Sequence, residues 1–163
     1  LPVPAGFTVT TEVCTRFMES DGEYPEGLKE EVEAALKQTE RAMGMKYGDP
    51  ENPLLVSCRS GARMSMPGMM ETVLNVGLCS KTIPGLVAKS GNERFVWDAY
   101  RRLITMYSDV VMEKSEGIET EEGQGIRVQL EKIMDGIKES KGYKADTDLT
   151  AEDLKDMFEK YKA

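Results

Sequence analysis

The stretch from Ser57 to Met70 carries the residue types that bind phosphate. It contains two arginines, Arg59 and Arg63, together with three serines and two glycines. A turn that contains glycine leaves backbone N–H groups free to donate to an anion, and a guanidinium group can bind two phosphate oxygens at once. The composition predicts either a phosphate-facing loop or a surface loop whose arginines pair with some of the 29 acidic residues.

The rest of the chain narrows the chemistry that this loop can take part in. The 163 residues contain no histidine, so they supply no imidazole base and no phosphohistidine. Three widely separated cysteines, Cys14, Cys58 and Cys79, have no CxxC spacing and predict reduced, buried thiols rather than a zinc site. A net charge of −8 argues against a nucleic-acid partner, and no apolar run reaches the ~18–20 residues of a membrane span.

A mixed strand–helix part is expected to position the loop. Alternation of apolar and β-branched residues predicts a strand at Phe7–Thr11, and apolar spacing from Gly27 to a stop at Gly44 predicts an amphipathic helix. The further elements expected in this part are a helix capped by Thr10 or Thr11 that runs to Met18, a buried strand at Leu54–Cys58 and a helix at Met69–Leu78.

The second half of the chain is predicted to be helical. Two apolar stripes make Arg94–Met112 the central helix of a small bundle, because such a helix must be packed on more than one side. An acidic linker at Glu113–Gly125 and an amphipathic helix at Ile126–Ile137 follow. Thr150 and Asp153 predict a capping box for the last helix, with Leu149 and Leu154 as its hydrophobic staple. The expected fold is helix-rich α/β (α+β), with a strand–helix part at 1–78 and a helical part at 79–163.

Several stretches resemble the pyruvate phosphate dikinases. The longest is NPLLVSCRSGARMSMPGMMETVLNVGL at Asn52–Leu78. LPVPAGFTVTTEVC at the start, NERFVWDAYRRLITMYSDVVM at Asn92–Met112 and DTDLTAEDLK at Asp146–Lys155 also match, in the same order. The chain is therefore similar to part of the nucleotide-binding ATP-grasp domain of that family, and the helical part is similar to a subdomain inserted into the ATP-grasp core.

The resemblance implies an activity and a set of site residues. The family interconverts ATP, phosphate and pyruvate with AMP, pyrophosphate and phosphoenolpyruvate, through a phosphohistidine that lies outside this chain. Arg59 matches the arginine that contacts the ATP phosphates and is the implied catalytic residue. The other positions that match the nucleotide site are Ser60, Gly61, Arg63, Gly68, Met69 and Met70, with Thr72 as a more distant match.

The same resemblance implies partners for the chain. The cofactors would be ATP and Mg²⁺, with the metal ligands elsewhere. The partners would be ATP, phosphate and the phosphohistidine and pyruvate-binding domains of a homo-oligomeric enzyme, without nucleic acid or membrane. The expected compartment is the cytoplasm, or a plastid or other organelle. This segment alone is expected to be inactive.

Two alternatives stay open at the level of sequence. One is the corresponding segment of a phosphoenolpyruvate synthase or a glucan–water dikinase, since both share an Arg-Ser element after the strand. The GARMSMPGMM continuation at Gly61–Met70 favours the phosphate-using enzyme instead. The other alternative is a non-catalytic helical interaction module.

Overall fold

The computed structural model describes residues 3–61, 71–114 and 124–161, with six α-helices and four short strands in these ranges. In chain order the elements are α1 (Thr11–Glu19), α2 (Leu28–Met43), β1 (Lys46–Tyr47), β2 (Pro53–Leu54), β3 (Val56–Arg59), β4 (Thr72–Val76), α3 (Ile83–Ser90), α4 (Glu93–Tyr107), α5 (Ile126–Lys141) and α6 (Ala151–Tyr161). A π-helical segment, Ser108–Lys114, continues α4, and a 3-10 turn at Asp146–Asp148 precedes α6. The expectation of a helix-rich α/β chain is confirmed.

The strands form two separate two-stranded sheets. β1 runs parallel to β2, and β3 runs antiparallel to β4. In the second sheet Arg59 lies opposite Thr72 and Cys58 lies opposite Val73, with a register shift between Val56 and Cys58. Extra residues in one strand increase its local twist and bend it. The β3–β4 hairpin is the frame of the expected phosphate-facing loop.

Helix α4 is the central element of the described structure. It contacts β4, α3, α5 and α6, and it contributes Val96 and Leu103 to one of the two apolar cores. The other core lies between α5 and α6 around Leu149, Leu154 and Met157. Trp97 packs against both cores. The prediction that Arg94–Met112 forms a central helix packed on several sides is confirmed.

Side-chain caps start two of the helices, α4 and α6, whereas Thr10, one of the two residues expected to cap α1, makes no capping hydrogen bond. The Asn92 side chain accepts a hydrogen bond from Phe95 N at 2.9 Å and caps α4. At α6, Asp153 N donates to Thr150 Oγ1 at 3.2 Å, and Thr150 N donates to Asp153 Oδ2 at 2.9 Å. These two bonds form the expected capping box, which satisfies backbone donors that have no partner within the helix.

The strand predicted at Phe7–Thr11 is wrong. Residues 3–10 take no regular secondary structure, and Thr11 instead begins α1. A strand needs a neighbour to take up its backbone hydrogen bonds. In the part of the chain that the structure describes, no strand pairs with these residues.

Two predictions around the loop also need correction. The stretch Leu54–Cys58 is not one buried strand, because β2 and β3 belong to different sheets and Cys58 is exposed. The helix predicted at Met69–Leu78 is wrong in its described part, where residues 72–76 form β4. The β-branched residues Thr72, Val73 and Val76 suit a pleated strand, and pairing with β3 overrides the weak helical signal.

The cysteine prediction was right about pairing and wrong about burial. All three thiols are free, but Cys14 and Cys58 are exposed and Cys79 is half-buried. Most of the acidic linker, residues 115–123, lies outside the described residues.

Candidate functional site

The candidate site lies at the open end of the β3–β4 hairpin. Arg59 is the last residue of β3. The next residue, Ser60, donates two hydrogen bonds to the backbone carbonyl of Glu71, one from its N–H and one from its hydroxyl, both 3.0 Å long. These bonds join residues eleven positions apart in the chain. The hydrogen bonds of the ladder therefore fix the backbone on which Arg59 is presented.

The Arg59 side chain is available to an external anion. Residues 57–61 are all exposed, and Arg59 forms no ion pair with any acidic side chain in the described ranges. An exposed guanidinium keeps its full charge and its five N–H donors. For Arg59, the interpretation as an arginine paired with a nearby acid is therefore not supported by the described contacts.

Of the seven expected site residues, three lie within the described part of the chain and four lie outside it. Arg59, Ser60 and Gly61 are consecutive and exposed. Arg63, Gly68, Met69 and Met70 lie outside the described residues. Thr72 faces Arg59 across the hairpin, so it lies closer to the site than the sequence indicated.

Residue types carried no signal for the role of Glu71. The acceptor is the backbone carbonyl of Glu71, and a carbonyl is present at every position of the chain. Ser60 was expected to bind phosphate, yet its hydroxyl donates to that carbonyl. A hydroxyl has one proton to donate, so Ser60 cannot give that proton to a phosphate oxygen while this bond is formed.

The hairpin is supported from behind by close backbone packing. Val73 is buried in the core around α4. Gly77 follows β4 with a φ of +107°, and a Cβ there would lie 2.9 Å from the carbonyl oxygen of Leu54 and from the Tyr47 ring. The turn continues to Thr82, whose side chain is completely buried.

A hydrogen-bond network at Thr82 holds this turn. Its hydroxyl donates toward the carbonyl oxygens of Gly77 and Cys79, both at 3.1 Å, and accepts from Cys79 N at 2.9 Å. Burial acts to raise the pKa of the Cys79 thiol, but hydrogen bonds from Thr82 and from the Lys81 backbone outweigh it, and the pKa is lowered. We assign this network to structural support, because its members bond to one another.

A further charged cluster lies within helix α4. Asp98 is buried and accepts from Arg101 at 2.8 Å and from Arg102 at 2.8 Å. The Arg101 side chain is 13% exposed and that of Arg102 is 62% exposed, so only Arg102 lies mainly in solvent. Within residues 3–61, 71–114 and 124–161, no group of side chains has the composition of a metal site. No helix among them is long and apolar enough to cross a membrane.

Comparison with known proteins places these observations in a family context. The chain is 49% identical over 163 residues to the pyruvate, phosphate dikinase of Clostridium symbiosum, covering all of the chain and 17% of that protein. It is 47% identical over 163 residues to pyruvate, phosphate dikinase 1, chloroplastic, of Arabidopsis thaliana, covering all of the chain and 16% of that protein. The Giardia intestinalis pyruvate, phosphate dikinase is 44% identical over 162 residues, which cover 99% of the chain and 17% of that protein. No family model matches the chain.

Fold and site define a helix-rich α/β segment that presents an exposed arginine at the end of a two-stranded hairpin. Over its whole length this segment is related to one part of the pyruvate, phosphate dikinases, which confirms the resemblance seen in the sequence. The chain spans about one sixth of the length of these relatives, 16–17%.

Proposed function

We propose that this chain forms part of the ATP-binding region of a pyruvate, phosphate dikinase, in an ATP-grasp domain. The observation that carries the proposal is 42–49% identity to such enzymes over essentially the entire chain. Similarity at this level over nearly the full length of the chain supports the same backbone and the same task for matching residues. The alternatives of a phosphoenolpyruvate synthase or glucan–water dikinase segment are less well supported, because relatives at 44–49% identity to this chain are named pyruvate, phosphate dikinase.

In this proposal Arg59 neutralises phosphate charge on ATP during transfer. The supporting geometry is an exposed guanidinium at the end of β3, without an ion pair in the described ranges. Electrostatic stabilisation is strongest when the donor is already positioned where charge develops. The β3–β4 ladder and the two Ser60 bonds to Glu71 supply this positioning.

The other site residues take secondary roles in the proposal. Gly61 and Gly68 keep side-chain bulk away from the phosphates, while Arg63 adds positive charge. Met69 and Met70 provide apolar contact beside the nucleotide. Mg²⁺ would act with ATP in the enzyme, but the described residues do not provide a set of ligands for it, and we place its ligands outside this chain.

The proposal also assigns the two parts of the chain. Residues 1–78 would belong to the strand–helix core that faces the phosphates, and residues 79–163 to a helical subdomain that covers it. The phosphoryl group would pass from ATP to a histidine outside this chain and then to pyruvate, with the enzyme a homo-oligomer. We propose the cytosol as the compartment, with the plastid as the alternative suggested by the chloroplastic relatives.

The decisive experiment replaces the matching segment of the Clostridium symbiosum enzyme with this chain. Phosphorylation of the enzyme by ATP in the presence of phosphate is measured for the chimera and for its Arg59→Ala and Arg59→Lys variants. We expect a loss of at least ~10²-fold for Arg59→Ala, the scale of one charge-stabilising donor. Arg59→Lys keeps the positive charge but cannot bind two oxygens in the same planar geometry. Its phosphorylation rate should therefore lie between those of the unmodified chimera and of Arg59→Ala.

Arg102→Ala is the matched control, because that arginine is 62% exposed and belongs to α4 rather than to β3 or β4, and Asp98 keeps its ion pair with Arg101 in this variant. Its phosphorylation rate should equal that of the unmodified chimera. Equal rates for Arg59→Ala and Arg102→Ala would remove Arg59 from the mechanism.

The proposal also predicts how the isolated chain treats nucleotide. With part of the site outside the chain, ATP should bind more weakly than ~1 mM, about −4 kcal/mol. Isothermal titration of the 163-residue chain tests this expectation. Micromolar binding by the chain alone would show that the site is self-contained. The alternative of a non-catalytic interaction module makes a different prediction: the chimera would be active, and its phosphorylation rate would not depend on Arg59.

A further inference from the structure

The first forty residues leave an apolar surface uncovered. Residues 3–43 bury only Thr39 and contribute no member to either apolar core. Among the described residues, ten large hydrophobic side chains are exposed and five of these fall within the first 24 residues: Val3, Phe7, Val9, Met18 and Tyr24. Concentrated exposure of this kind marks an interaction surface more often than isolated exposed residues do.

Helix α1 shows the uncovered side most clearly. It is amphipathic, yet none of its residues is buried. Val13 and Phe17, four residues apart on one side, are half-buried, and Phe17 contacts the Tyr24 ring with 5.3 Å between centroids. Cys14 and Met18 are also four residues apart and lie beside Val13 and Phe17 on the helix surface, so they extend the same apolar arc. Cys14 is exposed, and Met18 is 75% exposed. Only half of the apolar arc is therefore covered by this chain.

We infer that the apolar arc of α1 formed by Cys14 and Met18 is a docking surface for the polypeptide that flanks this segment in its longer relatives. We call it the α1 surface. The inference rests on the proposed function, since it takes the chain to be one segment of such an enzyme. The relatives supply the occupant, because about five sixths of their length lies beyond the part matched by this chain, which is 16–17%.

Charge identifies the chemistry of the occupant and disfavours a second copy of this chain. Helix α1 and the turn that follows it, residues 11–26, contain five acidic residues and one basic residue, a net charge of −4. Two such surfaces brought together would repel each other, whereas like charges are avoided and opposite charges are matched across specific interfaces. The occupant is therefore an apolar patch rimmed by lysine and arginine.

Cys14 provides a native reporter for the docking. Its thiol is exposed in this structure, so the isolated chain should react readily with iodoacetamide at this position. In the chimera with the Clostridium symbiosum enzyme, we expect Cys14 to react at least ~10-fold more slowly, because a covered thiol reacts only when the interface opens. Mass spectrometry of the Cys14 peptide measures the rate separately from those of Cys58 and Cys79.

Two variants test the position of the surface. Met18→Glu places a charge in the apolar arc and should restore rapid alkylation of Cys14 in the chimera. Thr15→Glu changes an exposed residue on the polar side of the same helix and should leave Cys14 protected. Circular dichroism of each isolated chain establishes that the helices are retained.

The outcomes separate this inference from the proposed function. Equal alkylation of Cys14 in the isolated chain and in an active chimera overturns the docking surface and leaves the function standing. Slow alkylation of Cys14 in a chimera whose phosphorylation rate is unchanged by Arg59→Ala supports the docking surface and contradicts the assigned role of Arg59. Concentration-dependent protection of the isolated chain, with dimer formation, would identify a second copy as the occupant and would also overturn the inference.

Discussion

Replacing Asp153 with asparagine should destabilise the chain by an amount that can be worked out from its surroundings. Asp153 is 2% exposed. It accepts from the N–H of Thr150 at 2.9 Å and from its hydroxyl at 2.7 Å, and it pairs with the ammonium of Lys141. Burial acts to raise the pKa of Asp153, but the Lys141 pair and the Thr150 bonds outweigh it and lower the pKa from 3.8 to about 2.

The size of the effect follows from linkage between ionisation and folding. One pKa unit corresponds to ~1.4 kcal/mol, so a fall from 3.8 to about 2 stabilises the folded chain by roughly 2.5 kcal/mol when Asp153 is ionised. Lys141 is 47% exposed, and its ammonium can be hydrated when the carboxylate is removed. We therefore expect a loss of about 2 kcal/mol for Asp153→Asn, below the ~3–5 kcal/mol of a charge left unpaired in the interior.

The lowered pKa of Asp153 also predicts how the effect of Asp153→Asn on stability changes with pH. A lowered folded-state pKa contributes stability above the unfolded value and loses it as the pH falls toward the folded value. The contribution is complete at pH 7, falls to roughly half at pH 3 and disappears below pH 2. The free-energy gap between the unmodified chain and Asp153→Asn should narrow along the same course.

Urea unfolding followed by circular dichroism at several pH values measures the gap. In thermal unfolding at pH 7, the melting temperature of Asp153→Asn should be about 4–8 °C below that of the unmodified chain, the shift expected for ~2 kcal/mol in a chain of this size. Asp156→Asn is the control, because Asp156 is exposed on the same helix, and it should change stability by less than ~0.5 kcal/mol. A gap that does not depend on pH, or one no larger than that of the control, would refute the assignment of an ion pair that stabilises the start of α6.

Two further predictions concern packing and a long-range hydrogen bond. Gly85→Ala should cost about 2 kcal/mol or more, because a Cβ at Gly85 would overlap the backbone carbonyl of Pro50. Gly136→Ala should instead stabilise α5 by about 0.5–1 kcal/mol, since nothing lies within 4 Å of that position; urea unfolding of the pair compares the two signs. Arg94→Leu should cost about 2–3 kcal/mol, because its guanidinium donates to two backbone carbonyls of the turn before α6, at 2.6 and 2.8 Å. Arg41→Leu, at an exposed position on α2, should stay within ~0.5 kcal/mol in the same assay, and an equal loss in both variants would contradict the tie between α4 and that turn.

The signals that worked in the sequence are local ones. The α6 start was readable from Thr150 and Asp153, and the end of α2 from Gly44, which adopts a φ of +63°. Capping and helix periodicity involve residues three or four apart, so a short window of sequence contains all the interacting groups. The family relationship was readable for a similar reason, because long stretches such as Asn52–Leu78 survive as recognisable sequence.

The strands and the shape of the site were decided by contacts between distant residues. Residues 72–76 carry a helical pattern weak enough for pairing with β3 to override it, and residues 7–11 have a strand pattern without a neighbour in the described structure. A strand is stable only when another segment takes up its hydrogen bonds, and the sequence of the strand does not name that segment.

The site shows the same division. The residue types of the loop predicted either phosphate binding or arginines paired with acids, and the family resemblance singled out Arg59 among them. Only the tertiary structure decided that Ser60 donates its hydroxyl proton to Glu71, since the two residues are eleven positions apart in the chain. It also decided that Arg59 stands at the end of a paired strand and not inside an isolated loop. Residue types therefore suggested the kind of ligand that we propose, and the pairing of β3 with β4 determined how the backbone of the arginine is held.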